Sequence, residues 1–165
     1  MKSGPVVSPF PAPGHAHRQC LQRALSRAES VCHERGLRLT PLRRRVLELI
    51  CQSHEPVKAY DLLDRLRNER RGAAPPTVYR VLDFLREQGL VHRIESLNAY
   101  LGCGAPGHTG TGQFLICDDC GEVAEMDDRD IFGVIAAKAG NLGFTVDRHT
   151  VEVRGHCGCV RTGRS

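Results

Sequence analysis

PPTVYRVLDFLREQGLVHRI, residues 75–94, is the stretch whose reading decides the fold. Pro75-Pro76 forces an extended approach and then supplies a good first helical residue, because proline's missing N–H is unused there anyway. Val78, Val81, Leu82 and Leu85 recur at helical spacing and make one apolar stripe. Tyr79, Arg80, Asp83, Arg86 and Glu87 fall elsewhere on the helix, and Gly89 is the expected left-handed stop. After it LVHRIE alternates like a short strand and carries His92. A short helix with an exposed Tyr-Arg pair, a Gly stop and a strand is the pattern of a recognition helix running into a wing. Taken alone, the stretch also fits an ordinary amphipathic helix of a bundle.

Working upstream, Leu21, Ala24, Leu25, Ala28, Val31 and Cys32 keep helical spacing from Arg18 to Arg35, and Gly36 ends the run. Thr40-Pro41 reads as an N-cap followed by proline at the first helical position. Leu42, Val46, Leu49 and Ile50 form the stripe of a second helix, with Arg43, Arg44 and Arg45 crowding its start toward phosphates or solvent. A third helix, Val57 to Arg71, turns Leu62, Leu63 and Leu66 inward. The helix at Pro75 is then the fourth. Leu90–Glu95 and Ala99–Cys103, joined around Ser96-Leu97-Asn98, supply a hairpin wing, so residues 18–103 read as a winged helix-turn-helix domain. Cys20, Cys32 and Cys51 sit singly and read as buried small apolar residues. Residues 1–17, with four of the nine prolines and no periodicity, read as a flexible tail.

Downstream, the glycines of residues 104–112 mark a hinge, and residues 113–165 form a small α+β module. Its expected elements are strands at Gln113–Ile116 and Glu122–Met126, a helix from Asp130 to Ala139, and a strand over Phe144–Arg154. A module this small buries too little apolar surface to be comfortably stable and needs a staple or a partner subunit. Cys117-x-x-Cys120, with Gly121 behind it, places two thiolates to converge on one tetrahedral ion. Cys157 and Cys159 form a second pair at the far end. Four thiolates would close a structural zinc site worth roughly 10 kcal/mol or more. Cys-x-Cys splays its side chains differently from Cys-x-x-Cys, so His156 is the alternative to Cys159 as fourth ligand. A redox Cys-x-x-Cys is the competing reading, but no βαβ pattern surrounds this one.

Composition bounds the partners. The 165 residues suit one domain or two small ones. Residues 1–95 hold 17 Lys+Arg against 10 Asp+Glu, and residues 96–165 hold 6 against 9, which together make the net +4. Only the basic front half is suited to a polyanion. No run of 18 apolar residues exists to span a membrane, and the N-terminus lacks the pattern of a secretory signal. Eight cysteines without such a signal point to a reducing, cytoplasmic setting and to metal rather than disulfides.

RLTPLRRRVLELI, KAYDLLDRL, PPTVYRVLDFLREQGLVHRIES and FLICDDCGEVAE together resemble the ferric uptake regulator family of bacterial metal-dependent repressors, and its zinc uptake regulator branch in particular. The likeness covers about residues 19–159. It implies a winged-helix DNA-binding domain, a C-terminal α+β dimerisation domain and a homodimer. It also implies two zinc ions per subunit. One is regulatory, held by His92, Cys103, His108 and Glu125, residues that spacing alone would not assemble. The other is structural, held by Cys117, Cys120, Cys157 and Cys159. DNA contacts are implied for Tyr60, Thr77, Tyr79 and Arg80, and a bridge between two dimers on one operator for Asp64 and Arg67. The chain departs from the family in its Cys-x-Cys and in lacking the His-rich run of iron sensors, where it has Gly110-Thr111-Gly112-Gln113. Two imidazoles, a thiolate and a carboxylate suit Zn²⁺ better than Fe²⁺ or Mn²⁺. The expected function is thus zinc-responsive repression of zinc uptake genes. The alternatives are a family member sensing another metal or peroxide, or a zinc enzyme. A nucleobase deaminase would need His-x-Glu and Pro-Cys-x-x-Cys, whereas here His33-Glu34 are adjacent and no Pro precedes Cys117.

Overall fold

The architecture is α+β, with five α-helices and six strands among residues 6–11, 17–69, 74–104 and 111–158, which a computed structural model of the chain describes. The chain divides into two compact units, residues 11–109 and residues 1–10 with 110–165. No described helix is long and apolar enough to cross a membrane.

In the first unit α1 (His17–Glu34) buries Leu25, Ala28 and Cys32, which lie on one helical face. Gly36, at φ +65°, then carries the chain out of the helix in a conformation that costs other residues energy. α2 (Pro41–Ile50) starts as expected at Thr40, whose hydroxyl accepts from the Arg43 N–H at 3.4 Å. α3 (Ala59–Glu69) begins two residues later than periodicity suggests. The reason is tertiary: Val57 exchanges two 2.8 Å backbone hydrogen bonds with Tyr100 and so belongs to the wing. α4 (Pro75–Glu87) buries Val78, Val81, Leu82 and Leu85, the expected stripe. These four helices close over a common core, each buried Leu or Val contributing about 1.5–3 kcal/mol. Gly89 (φ +66°) ends α4, and Leu90 N–H donates back to Leu85 O at 2.9 Å. β2 (Val91–Ile94) and β3 (Ala99–Gly102) form the wing, turning through one 3₁₀ turn and Asn98 at φ +47°.

The arginines at the start of α2 are tied to neighbouring helices while staying partly exposed. Arg43 stacks 3.4 Å from the Phe84 ring centroid and donates to Arg38 O at 2.7 Å. Arg44 pairs with Glu29 and Glu48, and Arg45 with Glu48 and Glu69. Helix packing brings those acids within reach, and spacing along the chain does not reveal that.

In the second unit a four-stranded sheet has the order β1-β5-β4-β6. Its strands are β1 (Val6–Ser8), β4 (Thr111–Cys117), β5 (Val123–Met126) and β6 (His149–Gly155). β4 is antiparallel to β5 and parallel to β6, and β1 is antiparallel to β5. Two expectations are corrected. Val6–Ser8, placed in a flexible tail, are a strand, because β5 offers them an open edge. Phe144–Arg154 is strand only from His149, where pairing with Thr111 at the start of β4 begins, and the earlier residues pair with no described strand. α5 (Arg129–Gly140) is anchored by the buried Gln113 amide, which donates to Asp128 O at 2.7 Å and accepts from Asp128 N at 3.1 Å. Phe132 stacks on His149 at 4.9 Å.

Candidate metal centres and nucleic-acid face

The cysteine knuckle follows from the sheet. β4 ends at Cys117, and a turn closed by Gly121 N–H donating to Cys117 O (3.0 Å) brings Cys120 back beside it. Gly121 sits at φ +74°, which a side chain resists. The parallel partner β6 delivers Gly155 opposite Cys117, and Asp118 N–H donates to Gly155 O at 2.8 Å. Cys157 therefore arrives at the knuckle. The sulfurs of Cys117, Cys120 and Cys157 lie within 4.8 Å of one another, Cys120 and Cys157 at 3.6 Å. Backbone donation from Cys157 N–H to the Cys117 sulfur (3.3 Å) and from Cys120 holds the Cys117 thiol below its ordinary range, whereas burial pushes Cys120 up.

Three convergent sulfurs fit a zinc ion. His156, the alternative fourth ligand, turns its Nδ1 to Asp119 at 3.0 Å and lies outside the sulfur group. Cys159 lies outside the described residues.

At the base of the wing, β2 carries His92 opposite Leu101. Cys103 N–H donates to Leu90 O at 3.0 Å, which draws the end of β3 onto the start of β2. The donor atoms of His92 and Cys103 thus come within 4.8 Å. Arg27 reaches from α1 to Gly104 O at 3.0 Å, just beyond Cys103. In the other unit Glu125 lies in β5 between Phe114 of β4 and Ser8 of β1, and it is 3 % exposed. A carboxylate so far from water demands a cation or several donors. His108 lies outside the described residues.

On the nucleic-acid side, Thr77, Tyr79 and Arg80 are exposed in the first turns of α4 and Tyr60 (68 % exposed) at the start of α3. Arg80 forms no ion pair or hydrogen bond among the described residues, in contrast to Arg43, Arg44 and Arg45. Asp64 and Arg67 stand 3.9 Å apart on α3, both about half exposed. Sequence reasoning missed Gln113, β1 and the arginine ties, because each is defined by a partner far away in the chain.

Residues 34–154 match the model of the Ferric uptake regulator family. The chain is 43% identical over 143 residues to the zinc uptake regulation protein of Escherichia coli strain K12, covering 84% of this chain and 82% of that protein. Among solved structures it resembles a zinc uptake regulator complexed with zinc and DNA (TM-score 0.79, 42% identity, 86% of this chain and 96% of that one). It also resembles holo XcZur (TM-score 0.77, 46% identity, 84% and 97%).

Proposed function

The chain belongs to the ferric uptake regulator family, and on that premise we propose that it is a zinc-responsive DNA-binding repressor of zinc uptake genes. The observation that carries the reading is the convergence of His92 and Cys103 at the base of the wing, directly after the helix that presents Arg80. With His108 and Glu125 they form the regulatory zinc site. Cys117, Cys120, Cys157 and Cys159 hold the structural zinc. When bound, zinc supplies a cross-link between donors that are far apart in the chain.

The protein's own residues do the rest. His92 and Cys103 are fixed to the wing, so restraining them restrains the attitude of α4. A ligand shifts a conformational balance only by binding one state better, and a site complete in one state alone has that property. Arg80 reads a guanine edge, while Tyr60, Thr77 and Tyr79 fix the register on the duplex. α5 buries no residue, and Val134, Leu142, Phe144 and Val153 are exposed, which supports a homodimer through this unit. Operator DNA places the dimer in the cytoplasm. Two dimers bridge one operator through Asp64 and Arg67, whose own exposed i,i+3 contact of 3.9 Å contributes only about 0.2–0.5 kcal/mol. Steepness of binding to a double site, lost on charge reversal at Asp64, measures that bridge. No residue is assigned to catalysis.

Graded chelation of the reduced dimer tests the whole reading. The regulatory zinc, held partly by nitrogen and oxygen donors, leaves first and takes operator binding with it, while one zinc per subunit and the dimer persist. The thiolate site empties second, together with the fold of its unit. Cys103→Ser reproduces the first stage permanently. If Cys103→Ser retains zinc-dependent operator binding, the regulatory site is elsewhere. Loss of both zincs in a single step contradicts the division of labour.

A further inference from the structure

β5 has only four residues, Val123–Met126, and without β1 it would be the edge of the sheet. Edge strands fray, and a side chain on one is poorly aimed. Glu125 is the one buried charged residue among those described. Its backbone is paired on one side to Phe114 and on the other to Ser8, and Val6 pairs with Met126 across a register irregularity. Such an irregularity bends a strand and re-aims the side chain opposite it. β1 brings little core with it, since Val6 is 56% exposed. What it adds is backbone pairing and cover along the strand that carries Glu125.

We propose that Val6–Ser8 are a positioning strap for the regulatory metal site: by pairing with β5 they hold the Glu125 carboxylate in a fixed attitude, and so set the affinity for regulatory zinc. The inference rests on the reading of Glu125 as a regulatory ligand. Groups that orient a metal ligand typically alter affinity 10–100-fold when removed. Linkage makes the effect reciprocal, so zinc at Glu125 also tightens the strap.

The test uses the full-length reduced dimer with Val6→Pro and Ser8→Pro together, which removes the backbone N–H of both paired residues and disfavours the strand. Competition with a zinc-binding dye reads the second zinc. The expected result is affinity weaker by about tenfold, with the first zinc and the dimer unchanged. Glu125→Ala is run alongside. If it keeps the second zinc, the ligand reading fails and the strap with it. If it loses the second zinc while the double-proline protein titrates like the parent, the strap alone is overturned. Hydrogen exchange on the unmodified chain decides the matter even if the proline variant folds poorly. Amides of residues 6–8 must exchange more slowly once the second zinc binds, and equal rates overturn the proposal.

Discussion

Arg80 and Arg45 are both arginines on helices of the basic half, yet they do different work. Arg45 is about one-third exposed and is pinned by Glu48 at 2.9 Å and by Glu69. Such partly exposed pairs contribute about 0.2–1 kcal/mol. Arg45→Ala should therefore lower the melting temperature slightly and leave the salt dependence of DNA binding unchanged. Among the described residues Arg80 has no such tie. Arg80→Ala should remove about 1–3 kcal/mol of discrimination, leaving dimer and zinc content intact. Binding to operator and random DNA at matched salt separates the two variants. A retained operator preference in Arg80→Ala would refute its role, and a reduced salt slope in Arg45→Ala would return that residue to the phosphates.

At the scale of elements, the wing is seated on the end of α2. A Cβ added at Gly102 of β3 would stand 2.5 Å from the Cys51 sulfur. Cys51 is no reactive thiol, since burial pushes it up to about 12. Its role there is packing. Gly102→Ala overpacks this contact and should cost about 1–3 kcal/mol. Cys51→Ala should restore most of that loss in the double variant, as read by denaturant unfolding. Additive losses would mean that the strain lies in the backbone rather than against Cys51. Because Cys103 follows Gly102 directly, the single variant should also weaken regulatory zinc.

At the scale of the whole molecule, the two units differ in how they complete themselves. Residues 11–109 enclose their own core. The smaller unit leaves Leu142 86% and Phe144 65% exposed, with α5 burying nothing. Apolar side chains left in water on that scale fit the proposed homodimer, with a second copy over them. Leu142→Asp with Phe144→Asp should shift light scattering from dimer toward monomer and weaken operator binding, while both zincs remain. A variant that stays dimeric would place the interface on another face of the unit.

Much of this was legible in sequence because the deciding signals are local. Pro75-Pro76, the Val78–Leu85 stripe and Gly89 specify α4 through proline's fixed φ, helical period and glycine's left-handed freedom. Thr40-Pro41 specify the start of α2 in the same way. The spacing of Cys117-x-x-Cys120 is that of a metal knuckle. His92, Cys103, His108 and Glu125 came instead from family likeness, since no local rule joins residues so far apart. The tertiary structure decided what depends on distant partners. It drew Val57 into the wing and away from α3, and it began β6 only opposite the start of β4. It turned Arg43, Arg44 and Arg45 onto neighbouring helices and made a strand of Val6–Ser8. The physical reason is common to all of these: a hydrogen bond or ion pair between residues remote in sequence leaves no periodicity behind, because its second half is supplied only when the chain has folded.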